Sequence, residues 1–184
     1  MKRVLIPLAE GFEEIEAITV LDILKRAGIG VVSAGLTEGP ITGSRGIVII
    51  PDTALHRVLE DDFDMVVLPG GLPGTTHLRL DKRIHDIVTR IHKKQGYVTA
   101  ICAAPSIFAE LGFLDGRKAT SHPSVAHETH FEAVNYTEDR VVVDGHFITS
   151  RSPGTAMEFA MKLVEVLAGK EMVEKVNAGV MAQL

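Results

Sequence analysis

Short, almost continuous apolar runs alternate along the chain with segments whose apolar residues recur at helical spacing. Val4-Leu5-Ile6-Pro7-Leu8-Ala9 reads as a buried strand. Ala17, Val20, Leu21, Leu24 and Ala27 then mark one stripe of a helix, with Gly28 as its stop signal. Ile29 to Ala34 predicts a second strand. Residues 40–50, with Gly43 and Gly46 around Ser44-Arg45, predict a β-hairpin or a protruding loop and strand. Asp64 to Pro69 predicts a third core strand, ending in Gly70-Gly71. A long helix follows, with Ile84, Ile87, Val88 and Ile91 on one face and Lys82, Arg83, Arg90, Lys93 and Lys94 mostly solvated. Tyr97 to Ile101 is a short strand, and Ala103 to Leu111 a helix with Pro105 in its first turn. Val141 to Thr149 reads as a hairpin with Asp144-Gly145 at its turn. The chain closes with a helix from about Gly154 to Ala168 and a shorter one from Lys170 onward.

Strand–helix alternation with near-continuous apolar strands predicts a mostly parallel sheet with helices on both faces. In such sheets a ligand sits beyond the carboxyl ends of the strands, near a switch in strand order. Three polar or glycine-rich clusters fall at predicted strand ends: residues 10–16, 69–75 and 102–106. That coincidence places the expected active site.

Composition narrows the picture. A chain of 184 residues with 46% hydrophobic and 23% charged positions predicts one soluble globular domain spanning 1–184. The net charge of −5 and the lack of a basic stripe disfavour nucleic acid as a partner. No stretch is long enough to span a membrane, and the N-terminus lacks the features of a signal peptide. The single cysteine excludes an internal disulfide and suits a reducing cytoplasm.

That cysteine, Cys102, falls on a sharp turn between a strand end and a helix N-terminus, where unpaired amides favour negative charge. A thiol that ordinarily titrates near ~8.5 can fall to about 3.5–7.5 in such a place, so a thiolate is the expectation. Glu13, Glu14 and Glu16 open the first helix, and each suits helix capping. One carboxyl from this group can approach Cys102 across neighbouring strand ends. The two groups would then share a proton, the carboxyl rising and the thiol falling in pKa. Gly70 and Gly71 suit a tight turn, and with Ala103 they offer backbone amides for an oxyanion. No Gly-Lys-Ser/Thr follows, so this is not a phosphate-binding P-loop. His122 is a candidate catalytic histidine. A metal site from His122, His127 and His130 lacks any supporting ligand spacing, so no metal is expected. His56, His77, His85 and His92 read as surface residues.

Five segments in order carry a resemblance. Ala9 to Glu16, Val67 to Gly71, Ala100 to Pro105, Thr120 to Pro123 and Thr149 to Thr155 resemble the ThiJ/PfpI superfamily. Within it they are most similar to the branch of the parkinsonism-associated deglycase and its bacterial ThiJ/YajL relatives. The resemblance runs over essentially the whole chain. It implies a flavodoxin-like, class I glutamine amidotransferase-like three-layer sandwich that forms a homodimer. By motif position Cys102 matches the nucleophilic, oxidation-sensitive cysteine, and Glu16 the glutamate that hydrogen-bonds it. Gly71 and Ala103 match the backbone donors, and His122 the nearby histidine. Ile15 and Arg45 match positions near the dimer interface. The helix from Lys170 matches an extra C-terminal helix near the site. Gly43 and Ile50 stand where animal members carry further cysteines, so redox behaviour that depends on those is expected to be absent.

The expectation is therefore a cytoplasmic, cofactor-independent glyoxalase/deglycase acting on methylglyoxal-type 2-oxoaldehydes and early glycation adducts. Its partners would be small reactive carbonyls, glycated proteins and a second copy of itself. The alternative is a redox-sensing chaperone whose cysteine oxidises to sulfinate. A cysteine peptidase ranks below both, because the partner of Cys102 is a glutamate and amine release needs a placed general acid.

Overall fold

The computed structural model describes residues 1–183. Its elements in chain order are β1 (Arg3–Leu8), α1 (Glu14–Arg26), β2 (Gly30–Gly35), β3 (Ile41–Thr42), β4 (Val48–Ile49), β5 (Thr53–Ala54) and β6 (Met65–Leu68). There follow α2 (Gly74–Leu80), α3 (Lys82–Lys93), β7 (Tyr97–Ile101), α4 (Pro105–Glu110), β8 (Lys118–Ala119) and β9 (Asn135–Tyr136). The chain ends with β10 (Val141–Asp144), β11 (Phe147–Ser150), α5 (Ala156–Ala168) and α6 (Lys170–Val180).

Seven strands form the central sheet in the order β10-β11-β7-β6-β1-β2-β5. Every neighbouring pair is parallel except β10 with β11, the hairpin that turns at Asp144-Gly145. Each central strand is apolar on both faces, because helices lie above and below it. Val4, Ile6 and Leu8 of β1 pack with α1, α5 and α6, while Leu5 packs into the opposite layer with α2, α3 and α4. The period-two alternation of a strand thus feeds two cores. The result is the α/β three-layer sandwich expected from the pattern.

The segment after Gly70-Gly71 is two helices where the pattern predicts one long one. Asp81 takes an extended backbone and accepts the Arg83 N–H at 2.9 Å, ending α2 and capping α3. The Ile84, Ile87, Val88 and Ile91 stripe belongs to α3. Residues 40–50 do form a hairpin, β3 against β4, which pair antiparallel outside the main sheet. The parallel pair β8–β9, each strand two residues long, has no periodic signature at that length.

Candidate active site

The chain leaves β1 for β2 on one side and later returns through β6 on the other, so strand order switches at β1. The segments leaving the carboxyl ends of β1, β6 and β7 are Ala9 to Glu13, Pro69 to Gly71 and the Cys102 turn. All three of the clusters marked from sequence therefore converge, as the topology requires.

Cys102 holds a left-handed backbone, φ +65°. A side chain there is strained, and such strain persists only where the surroundings enforce it. Its N–H donates to the Ser150 carbonyl at 2.9 Å, and its own carbonyl accepts the His122 N–H at 2.7 Å. The Gly71 and Ala103 N–H groups donate to its sulfur. The side chain is half-buried. Glycine is required at two neighbouring positions. Gly71 has φ +89°, and a Cβ on it would lie 2.4 Å from the Glu13 nitrogen. A Cβ on Gly70 would lie 2.7 Å from both the Cys102 Cβ and Glu16 Oε2.

The three glutamates of the first helix separate into three tasks. Glu13 is the N-cap, its carboxylate accepting the Glu16 N–H at 2.8 Å. Glu14 is buried and reaches the β3–β4 hairpin. It accepts the Arg45 N–H at 2.6 Å, the Ile47 N–H at 3.3 Å and the Ser44 hydroxyl at 3.1 Å. Burial opposes its charge, but those donors outweigh burial and hold it below the usual carboxylate range. Glu16 is fully buried against Cys102. Its Oε2 accepts the Gly70 N–H at 2.7 Å, and its Oε1 is buried with no partner among the described residues.

Burial drives the Glu16 carboxyl up to about 7, against the opposing hydrogen bonds from Cys102 and Gly70. The thiol departs from the sequence expectation. Burial and the Glu16 charge push it up, and the Ala103 and Gly71 amides only partly offset them. The expected fall came from a helix N-terminus, but α4 has only six residues and begins three positions beyond the sulfur. The pair titrates as a unit: two protons below about 7, one above it. The proton that leaves near 7 is the carboxyl's, so in the one-proton state the thiol keeps its proton and the Glu16 carboxylate beside it is placed to take that proton as sulfur attacks.

Cys102 forms part of an open pocket of about 370 Å³. Leu72 and Pro153 give it apolar walls, and Glu13, Arg45, His122 and Ser124 line its polar side. The His122 imidazole is turned to its own loop, Nδ1 lying 2.8 Å from the Ser124 hydroxyl and accepting the Ser124 N–H at 3.2 Å. Among the described residues no three His, Cys, Asp or Glu side chains are placed to hold a metal ion, so His122, His127 and His130 do not form a ligand set. His85 and His92 are not the surface residues expected. His85 Nε2 lies 2.6 Å from the Arg79 carbonyl, and the His92 ring packs 5.1 Å from both Phe113 and Phe147.

The DJ-1/PfpI family model matches residues 2–166. The chain belongs to the DJ-1/PfpI family. Protein dj-1beta of Drosophila melanogaster is 44% identical over 182 residues, which cover 98% of this chain and 97% of the relative. A crystal structure of Drosophila melanogaster DJ-1beta superposes with a TM-score of 0.94 over 100% of this chain and 99% of that one. A structure of oxidised Toxoplasma gondii DJ-1 is 33% identical, with a TM-score of 0.95 and full coverage of both chains. A Caenorhabditis elegans relative named glutathione-independent glyoxalase DJR-1.2 is 38% identical over 162 residues, 88% of this chain and 86% of that one. No helix among the described residues is long and apolar enough to cross a membrane.

Two contributors to this site escaped the reading of residue types. The Ser150 carbonyl and the His122 N–H fix the Cys102 backbone. Every residue carries those groups, so no side-chain pattern marks them.

Proposed function

We propose that the protein is a cofactor-independent glyoxalase that converts methylglyoxal-type 2-oxoaldehydes to 2-hydroxy acids at Cys102. The observation that carries it is the buried Glu16 carboxyl sharing a proton with the chain's only thiol beside two backbone donors. The relative named as a glutathione-independent glyoxalase supports the same reading.

The Cys102 sulfur attacks the aldehyde carbon to form a hemithioacetal. The Gly71 and Ala103 N–H groups stabilise the developing oxyanion, and Glu16 supplies its proton. Glu16 then moves the aldehyde-derived hydrogen as a proton from the first carbon to the second. The first carbon is thereby oxidised and the second reduced, leaving a 2-hydroxyacyl thioester on Cys102. Water cleaves the thioester to release the hydroxy acid and regenerate the thiol. Methylglyoxal plus water thus becomes lactate with no external oxidant or reductant. The same thiolate serves release of early glycation adducts. His122 contributes through its backbone N–H, which fixes the peptide unit that presents the Ala103 donor.

The test is lactate formation from methylglyoxal without glutathione or metal. Wild type is expected to turn over many times, Cys102→Ser not at all, and Glu16→Gln about 100-fold more slowly or worse. kcat/KM is expected to rise with pH through about 7, as the pair loses its first proton. Absence of multiple turnovers in wild type sinks the reading.

The reading extends to a cytoplasmic homodimer. Ile15 and Ile18 of α1 lie exposed, and so do Ile47 and Val48 of the hairpin that Glu14 ties to that helix. A redox-sensing chaperone is favoured by one observation, the oxidised state of the Toxoplasma gondii relative. That reading expects Cys102→Ser to keep its ability to suppress aggregation of a client protein.

A further inference from the structure

The two donors at the sulfur come from different segments, and each turn leads into its own helix. Gly71 leads into α2, whose first turn is tied back by the Thr75 N–H to the Gly71 carbonyl at 2.8 Å. Ala103 leads into α4. The pairing of β6 with β7 brings the two turns side by side, and their fine spacing is left to contacts beyond the strand ends.

Arg79, near the end of α2, spans the gap. Its Nη2 donates to the Ser106 hydroxyl of α4 at 2.5 Å. Ser106 is fully buried and gives its own hydrogen to the Ala103 carbonyl at 2.7 Å. The direction is forced, because arginine has only donors and a serine hydroxyl has one hydrogen. The same guanidinium lies 3.5 Å from Glu110 at the far end of α4 and 3.3 Å from Glu128. Glu128 belongs to the loop that begins at His122, whose N–H holds the Cys102 carbonyl. One side chain of α2 therefore ties together α4, which follows the cysteine turn, and the loop that holds the Cys102 carbonyl. It is 26% exposed, so its bonds are less screened than those of a surface ion pair.

We propose that Arg79 is a positioning residue for the reaction at Cys102, setting the separation of the Gly71 and Ala103 donors through Ser106. The effect rests on the cysteine chemistry proposed above. Donors preorganised at the charge that develops in a transition state lose much of their value when displaced by a fraction of an ångström. Arg79 does not line the Cys102 pocket, so the loss belongs in kcat more than in KM.

The test compares Arg79→Gln, Arg79→Lys, Ser106→Ala and, as a control, Arg83→Gln, which removes an ion pair to Asp81 on α3. Two readouts are taken: the second-order rate of Cys102 alkylation by iodoacetamide, and kcat and KM for methylglyoxal. Arg79→Gln is expected to lower both the alkylation rate and kcat about tenfold with little change in KM. Ser106→Ala is expected to follow it in part, Arg79→Lys to recover part of the loss, and Arg83→Gln to match wild type. Wild-type alkylation and kcat in Arg79→Gln overturn the proposal, whatever happens to its melting temperature. If Arg79→Gln does not fold, a wild-type alkylation rate in Ser106→Ala overturns it instead. If wild type shows no turnover, the glyoxalase reading fails, and alkylation alone still decides the role of Arg79.

Discussion

Cys102 and Glu16 each occupy a state that an isolated residue avoids. The cysteine backbone is left-handed, which a Cβ disfavours by roughly 1–2 kcal/mol. Cys102→Gly is therefore expected to unfold at a urea concentration at least as high as Cys102→Ala, although glycine ordinarily loses such a comparison. Burial raises the Glu16 carboxyl from its ordinary 4.5 to about 7. The folded state holds this proton more tightly than the unfolded chain does. Its stabilising contribution is complete below about 4.5 and is lost as pH rises through about 7. Glu16→Gln removes that loss. Between pH 4 and pH 8, wild type is expected to lose about 3 kcal/mol of unfolding free energy relative to Glu16→Gln, read from urea titrations.

At the scale of elements, the site is assembled by turns more than by helices or strands. Pattern reading located the strand ends and the hairpins because apolar alternation and Asp144-Gly145 are local signals. It missed the break at Asp81 because α2, seven residues long, is too short to show an apolar stripe of its own. The Thr120 to Ser124 loop acts through its backbone, and this separates two substitutions. His122→Ala keeps the N–H to Cys102 and is expected to retain activity within about threefold. His122→Pro removes that donor and is expected to lose about 100-fold, as when an oxyanion-hole donor is removed. Steady-state lactate formation by the two variants checks the difference.

For the molecule as a whole, the two layers of helices leave apolar side chains of α1 and the β3–β4 hairpin uncovered. Ile15 is 55% and Val48 57% exposed, on elements that Glu14 binds together. The proposed dimer would remove that area from water and set Arg45, which lines the Cys102 pocket, beside the interface. Ile15→Glu is expected to shift the mass by light scattering from dimer to monomer. A monomeric wild type at micromolar concentration refutes the dimer.

The sequence by itself determined the sheet with its two covering layers, the position of the nucleophile candidate at a strand end, and the convergence of three clusters there. These depend on periodicity and chain direction, which neighbouring residues encode. Residue types alone did not separate Glu13, Glu14 and Glu16; the family resemblance pointed to Glu16. Tertiary structure decided what each carboxylate meets: a helix end, a hairpin and a thiol. It also decided the proton affinity of the cysteine, reversing the shift expected from a helix N-terminus. That affinity depends on burial and on donors from Gly71, Ala103 and Glu16, brought together from three separate segments. No local pattern encodes a sum of contacts between segments so far apart.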